Sequence, residues 1–146
     1  IGVGLVGSEM CIRDRYDTDM NEMSYYENIS LLAYSPLAGG LLTGKYLNNE
    51  MPTDSRITRV STIGDRVNKN AMKAVQEYMK ISKNFNIHPV HLALAFCTKR
   101  PFMGSVIFGA TTDEQLDVVI KGLDIDLNDE VMEEISLVYK NYALTF

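Results

Sequence analysis

The chain has 146 residues, 46% of them hydrophobic, and a formal net charge of −5. That suits one packed domain, and an acidic balance argues against phosphate-backbone binding as the main task, so no nucleic-acid partner is expected. Pro36 and the glycines after it cut the longest apolar run well short of the roughly 20 residues of a membrane-spanning helix, so no membrane partner is expected either.

The first fifteen residues, IGVGLVGSEMCIRDR, read unlike the rest. They contain no initiator Met at their start, and the apolar opening lacks the basic flank of a signal peptide. The string VGSEMCIRDR resembles a translated sequencing adapter. Residues 1–15 are therefore expected to be extraneous and residues 16–146 to carry the domain; a divergent N-terminal arm is the other reading. Cys11 and Cys97 lack metal or redox spacing, the usage of a reduced chain, so a cytoplasmic location and no metal site are expected.

Residues 16–28 are polar, and an apolar run at 29–33 has the length and composition of a buried strand. The run breaks at Ser35-Pro36, because proline lacks a backbone donor and disfavours the helical region for the residue before it. Gly39, Gly40 and Gly44 follow, so the chain after the strand can bend tightly and approach a ligand closely. A buried strand opening into a glycine loop that carries Tyr34, Ser35, Thr43 and Lys45 suits a binding edge; an ordinary strand-to-loop exit has the same composition. Residues 51–70 show no convincing period and carry Arg56, Arg59 and Arg66, a long loop of the functional or disordered kind.

A helix is expected over residues 71–85, with Val75, Tyr78 or Met79, Ser82 and Phe85 along one stripe. Asn86 to Pro89 breaks it, and Pro89 suits the first position of a second, largely buried helix over residues 90–99. Residues 105–108 read as a second strand, β-branched and apolar as in parallel sheets. After Gly109, Thr111 or Thr112 can cap a helix running to about Lys121, and Asn128 a last one begun by Asp129 and Glu130. Strand, loop, helices, strand, turn and helices make two βα units of a parallel α/β architecture.

The turn after the second strand offers backbone N–H groups at a helix start, with Thr111, Thr112 and Gln115 as neutral donors, while Lys45 and Arg56 supply cations able to pair with phosphate. A merely well-capped helix is the plainer reading of that turn. His88 and His91 sit at a helix start, where capping or solvated roles suit them, and Cys97 falls on an apolar face as a core thiol does.

Two stretches carry a family likeness: LLAYSPLAGGLLTGKY at residues 31–46 and SVIFGATTDEQL at residues 105–116. They resemble the segments after the seventh and eighth strands of aldo-keto reductases, closest to the bacterial general-stress and potassium-channel β-subunit types. The likeness runs from about residue 21 to 142, and NEMSYYENIS resembles the end of the helix before the seventh strand. It implies the C-terminal portion of a (β/α)8 TIM barrel, strands 7 and 8 with their helices, the barrel being incomplete in this chain because such an enzyme needs about 250 residues.

The resemblance also implies NADP(H) as cofactor. In that reading Tyr34 stacks on the nicotinamide, and Ser35, Pro36, Leu37, Ala38 and Gly39 line the pyrophosphate. Lys45 and Arg56 match basic residues near the pyrophosphate and 2′-phosphate, and Gly109, Thr111 and Gln115 match positions holding the adenosine end. Val118 and Val119 depart from the family's Glu-Asn pair, which holds the adenine amine. The family's Asp, Tyr, Lys and His tetrad lies on the first four strands or their loops, and none of those motifs occurs here, so no catalytic residue is assigned and the chain alone is expected to be inactive.

Three functions fit this pattern. One is the cofactor-holding part of an NADPH-dependent reductase acting on a small-molecule carbonyl. The second is part of a β-subunit-like regulatory protein sensing redox state through bound NADPH. The third is a free-standing nucleotide-binding module that folds by association. The first is the reading adopted; the carbonyl substrate and the oligomeric state are not encoded in these residues.

Overall fold

The backbone of the first strand begins later than its apolar run, for a local reason. In the computed structural model, which describes residues 16, 20–50, 52–53, 55–60 and 67–142, helix α1 (Asn21–Glu27) ends on Asn28 in the left-handed conformation. The Ile29 N–H then turns back to the Ser24 carbonyl at 3.1 Å, a helix-ending bond that removes Ile29 from any ladder. Strand β1 is therefore Leu31–Tyr34 rather than residues 29–33. Residues 1–15, including Cys11, and Arg66 of the long loop lie outside the described residues.

The glycine loop after β1 contains two short 3-10 segments, Ala38–Thr43 and Leu47–Asn49. Within residues 51–70, expected to lack period, a single helical turn α2 (Arg56–Arg59) forms after Ser55. Asn68 accepts from the Asn70 and Ala71 N–H groups and starts α3 (Lys69–Asn84). Helix α4 (Pro89–Thr98) has Pro89 in its first turn and His88 as its cap. Strand β2 is Met103–Ile107, two residues earlier at its start than composition suggests. Helices α5 (Asp113–Lys121) and α6 (Asp129–Asn141) are capped by Thr112 and Asn128, which accept from the Gln115 and Val131 N–H groups.

β1 and β2 pair in parallel, Leu31 with Met103 and Tyr34 with Ile107. The register slips between Leu31 and Leu32, leaving Gly104 without an opposite number, the two-against-one arrangement of a bulge. Glycine is required at that point: a Cβ on Gly104 would lie 2.7 Å from the Ser30 Cβ. This explains the early start of β2, since Met103 and Gly104 wrap the beginning of β1 while Leu31 N–H bonds the Phe102 carbonyl at 2.8 Å.

Helices cover one face of the pair. Leu31 and Ala33 pack there with Leu41, Leu42 and Tyr46 of the loop, Val75 and Ile81 of α3, Leu92 and Phe96 of α4, and Val131 and Ile135 of α6. Cys97 is fully buried among them, a core thiol as expected. The other face is bare, with Leu32 41% and Ile107 51% exposed. β2 is thus not the buried strand that its apolar middle suggests, because nothing among the described residues covers that side. His88 Nδ1 accepts the Val90 N–H at 3.2 Å, and burial, followed by the nearby His91 charge, holds the His88 pKa below its ordinary 6.5. No described helix is long and apolar enough to cross a membrane.

Candidate functional site

Parallel pairing puts the C-terminal ends of β1 and β2 at one edge, so both following loops leave from the same place. The Ser35 N–H bonds the Ile107 carbonyl at 3.1 Å and ties the two exits together at the last rung.

Tyr34, the final residue of β1, is half-buried on the side away from the helices, opposite Ile107. Beyond it the backbone turns through left-handed conformations at Ser35 (φ 60°), Ala38 (φ 49°), Gly39 (φ 68°) and Gly40 (φ 98°). Non-glycine residues adopt such angles only when the surroundings demand it, typically at ligand-facing sites. The demand is visible here: Pro36 and Ala38 are buried, Leu37 is half-buried, and Leu41 (1% exposed) and Tyr46 (2% exposed) anchor the loop in the core. Thr43 Oγ1 closes the turn on the Gly40 carbonyl at 2.8 Å.

Lys45 lies back over this turn. A Cβ on Gly40 would come within 3.0 Å of Lys45 Cε and 3.2 Å of Nζ, and Nζ stands 5.0 Å from the Tyr46 ring centroid. The ammonium is thus held at the glycine turn without an ion-pair partner among the described residues. Arg56, also unpaired among them and exposed, opens α2, which packs against the Ala38–Thr43 segment.

The second loop is built differently. Gly109 is open, with nothing within 4 Å of where a Cβ would stand. Thr111 donates to Gln115 Oε1 from both its backbone N (3.0 Å) and Oγ1 (3.1 Å), and Thr112 Oγ1 accepts the Gln115 N–H at 3.3 Å. The reciprocal cap therefore forms with the glutamine reaching Thr111 and the threonine at 112 doing the capping. The Glu114 carboxyl is held below its ordinary pKa by its own backbone N–H and then by the Thr112 hydroxyl, as suits a carboxylate in the first turn of a helix. Val118 is half-buried, and Val119 is buried beside Val90 and Leu94. The valine pair thus serves packing at this place. Among the described residues, no hydrogen bond or ion pair joins Lys45 or Arg56 to Thr111 or Gln115, and no group of three or more His, Cys, Asp and Glu could hold a metal.

Sequence reasoning missed the left-handed angles at Ser35 and Ala38, and the Ser35–Ile107 bond that sets the edge. Only the proline after Ser35 hinted at a sharp exit. A cavity of about 490 Å³ opens at the opposite end of the strands, between Asn21, Ser24, Tyr26, Ser30 and Phe102, away from these loops.

Two adjacent parallel strands, each opening at its C-terminal end into a loop and helix, are the repeating unit of β/α folds, the β/α barrel among them. A glycerol dehydrogenase, AKR11B4 from Gluconobacter oxydans, has this fold over 87% of the chain and 39% of its own, with TM-score 0.66 and 19% identity. The Aldo/keto reductase family pattern matches residues 5–140, and the chain belongs to that family. The matched span takes in part of the N-terminal segment set apart above. Protein tas of Escherichia coli is 39% identical over 88% of the chain. A probable voltage-gated potassium channel subunit beta of Arabidopsis thaliana is 30% identical over 80%. The chain spans 37% and 36% of the lengths of these two relatives.

Proposed function

We infer that this chain supplies the NADP(H)-holding edge of an aldo-keto reductase whose complete form reduces small aldehydes or ketones in the cytoplasm. The observation that carries the reading is Lys45, folded back over a run of left-handed residues at the C-terminal end of a parallel strand. The Ser35, Ala38 and Gly40 N–H groups are spent on carbonyls of the turn and of β2, so it is the Lys45 ammonium that brings charge for an anion to this tight bend. The residues suit the cofactor: Ser35, Pro36, Leu37, Ala38 and Gly39 would pass along its pyrophosphate and Tyr34 would lie against its nicotinamide. Arg56 would meet the 2′-phosphate, and Gly109, Thr111 and Gln115 would hold the adenosine. Bound NADPH supplies the hydride.

The chain carries none of the tetrad motifs that move the accompanying proton, so on its own it binds and orients. The 30% identity to a channel β subunit favours a second reading, in which the same edge holds NADPH as a redox sensor.

NADPH and NADH titrated into the chain, followed by nicotinamide fluorescence, test the first reading. Arg56→Glu should weaken NADPH about tenfold or more, the value of one charge-assisted hydrogen bond, and leave NADH unmoved. Equal losses would show that Arg56 does not read the 2′-phosphate, and wild-type chain that binds neither would reject the dinucleotide edge.

A further inference from the structure

Helix α5 carries Gln115 and the Thr112 cap, yet its first turn is exposed, so its direction is set elsewhere. Its C-terminal half rests on α4 through Val119, packed with Val90 and Leu94. Apolar packing of that kind is non-directional and leaves some freedom of roll.

One polar contact removes the freedom. Val118 is among the last four residues of α5, whose carbonyls lack intrahelical partners, and the Gly122 N–H bonds Val119 O at 3.0 Å instead. His91 Nε2 of α4 lies 2.8 Å from Val118 O. A carbonyl only accepts, so Nε2 carries the hydrogen. Gly122 independently marks the approach. A Cβ there would stand 2.5 Å from His91 Cδ2 and 3.2 Å from its Cα, while its φ of −90° suits any residue. Glycine is demanded by the histidine and not by the backbone.

The geometry points to His91 as a positioning residue that fixes the last turn of α5 and thereby the aim of the donors at Thr111, Thr112 and Gln115. This rests on the reading of α5 as the holder of the adenosine end. The hydrogen bond also defines the His91 tautomer, and His88 beside it (ring centroids 5.0 Å apart) has the opposite task, since its Nδ1 must stay unprotonated to cap α4.

The test uses the full chain as wild type, His91→Ala, His91→Gln and Gly122→Ala. Amide exchange over residues 115–122 should speed up about five- to tenfold in His91→Ala and Gly122→Ala, the worth of one hydrogen bond, with α3 unchanged. His91→Gln should keep the slow exchange, because its amide N–H can reach the same carbonyl. Affinity for 2′,5′-ADP should fall alongside in the first two variants. In the wild type, histidine NMR should show Nε2–H with scalar coupling to the Val118 carbonyl. Absence of that coupling, or unchanged exchange in α5 of His91→Ala, would overturn the role. If exchange and coupling behave as expected but the wild type does not bind 2′,5′-ADP, the positioning stands and the adenosine reading of α5 fails.

Discussion

The two loops that leave the strand edge are built on opposite plans. The loop after β1 is sunk into the core, with Leu41 and Tyr46 almost wholly enclosed and its backbone forced left-handed at Ser35 and Ala38. Residues 108–117 after β2 are all exposed, and the side-chain hydrogen bonds that shape them are those of Thr111, Thr112 and Gln115. One loop takes its form from tertiary packing, the other from its own side chains. A binding edge made from both combines a rigid wall with an adaptable one.

The sharpest way to break the contrast is Leu41→Ala. Removing a wholly buried leucine leaves a cavity worth about 2–5 kcal/mol, so amide protection in α3 and α4 should collapse at least thirtyfold with the loop. No substitution in residues 108–117 should reach α3. Next in size is Tyr46→Phe, which should move the other way. The buried Tyr46 hydroxyl has no hydrogen-bond partner among the described residues, and deleting such a group should relieve about 1–3 kcal/mol. A loss of protection would show that the hydroxyl is paired. Thr112→Ala comes third, at about 1 kcal/mol for a lost helix cap; exchange should quicken at Gln115 and Leu116 while the β1 loop is untouched.

Much of this was readable from the chain because local chemistry decides it. Asn128, Pro89 and the Thr111–Thr112 pair announce helix starts through their own side chains or ring, and a helix begins at each, with Thr112 as the cap of its own. The tyrosine-to-glycine stretch was placed at a strand exit, where it lies. What could not be read depends on distant partners. The start of β1 moved because the left-handed cap at Asn28 took Ile29, and β2 moved because Gly104 bulges against Ser30. The burial of β2 was misjudged because an apolar pattern records which faces want cover, and Ile107 has none here. His91 read as a capping or solvated residue, since its partner Val118 is far along the sequence.

Acid should produce the smallest and most separable effect. The folded chain holds the His88 pKa below 6.5, so it binds that proton less readily than the unfolded chain does. Stability from neutral His88 is complete above that value and declines as pH falls through it. Glu114, also depressed, keeps its contribution until pH drops below about 4.5. Exchange at the start of α4 should therefore quicken first, and the Thr112 cap should loosen only in more acid solution. His88→Asn, which retains a capping oxygen, should remove the earlier step and leave the later one.

The parallel pair has a consequence for the order in which the chain assembles. α3 and α4 are neighbours in sequence and can meet at once, whereas β1 and β2 are joined only after the long intervening stretch has been confined. Distant pairings must meet that entropy before their contacts reward it. The sheet, and with it the Ser35–Ile107 rung at the edge, should thus be the last part to form. A chain released from denaturant should show helical signal early, while protection of the Ser35 amide should arrive in the slowest phase.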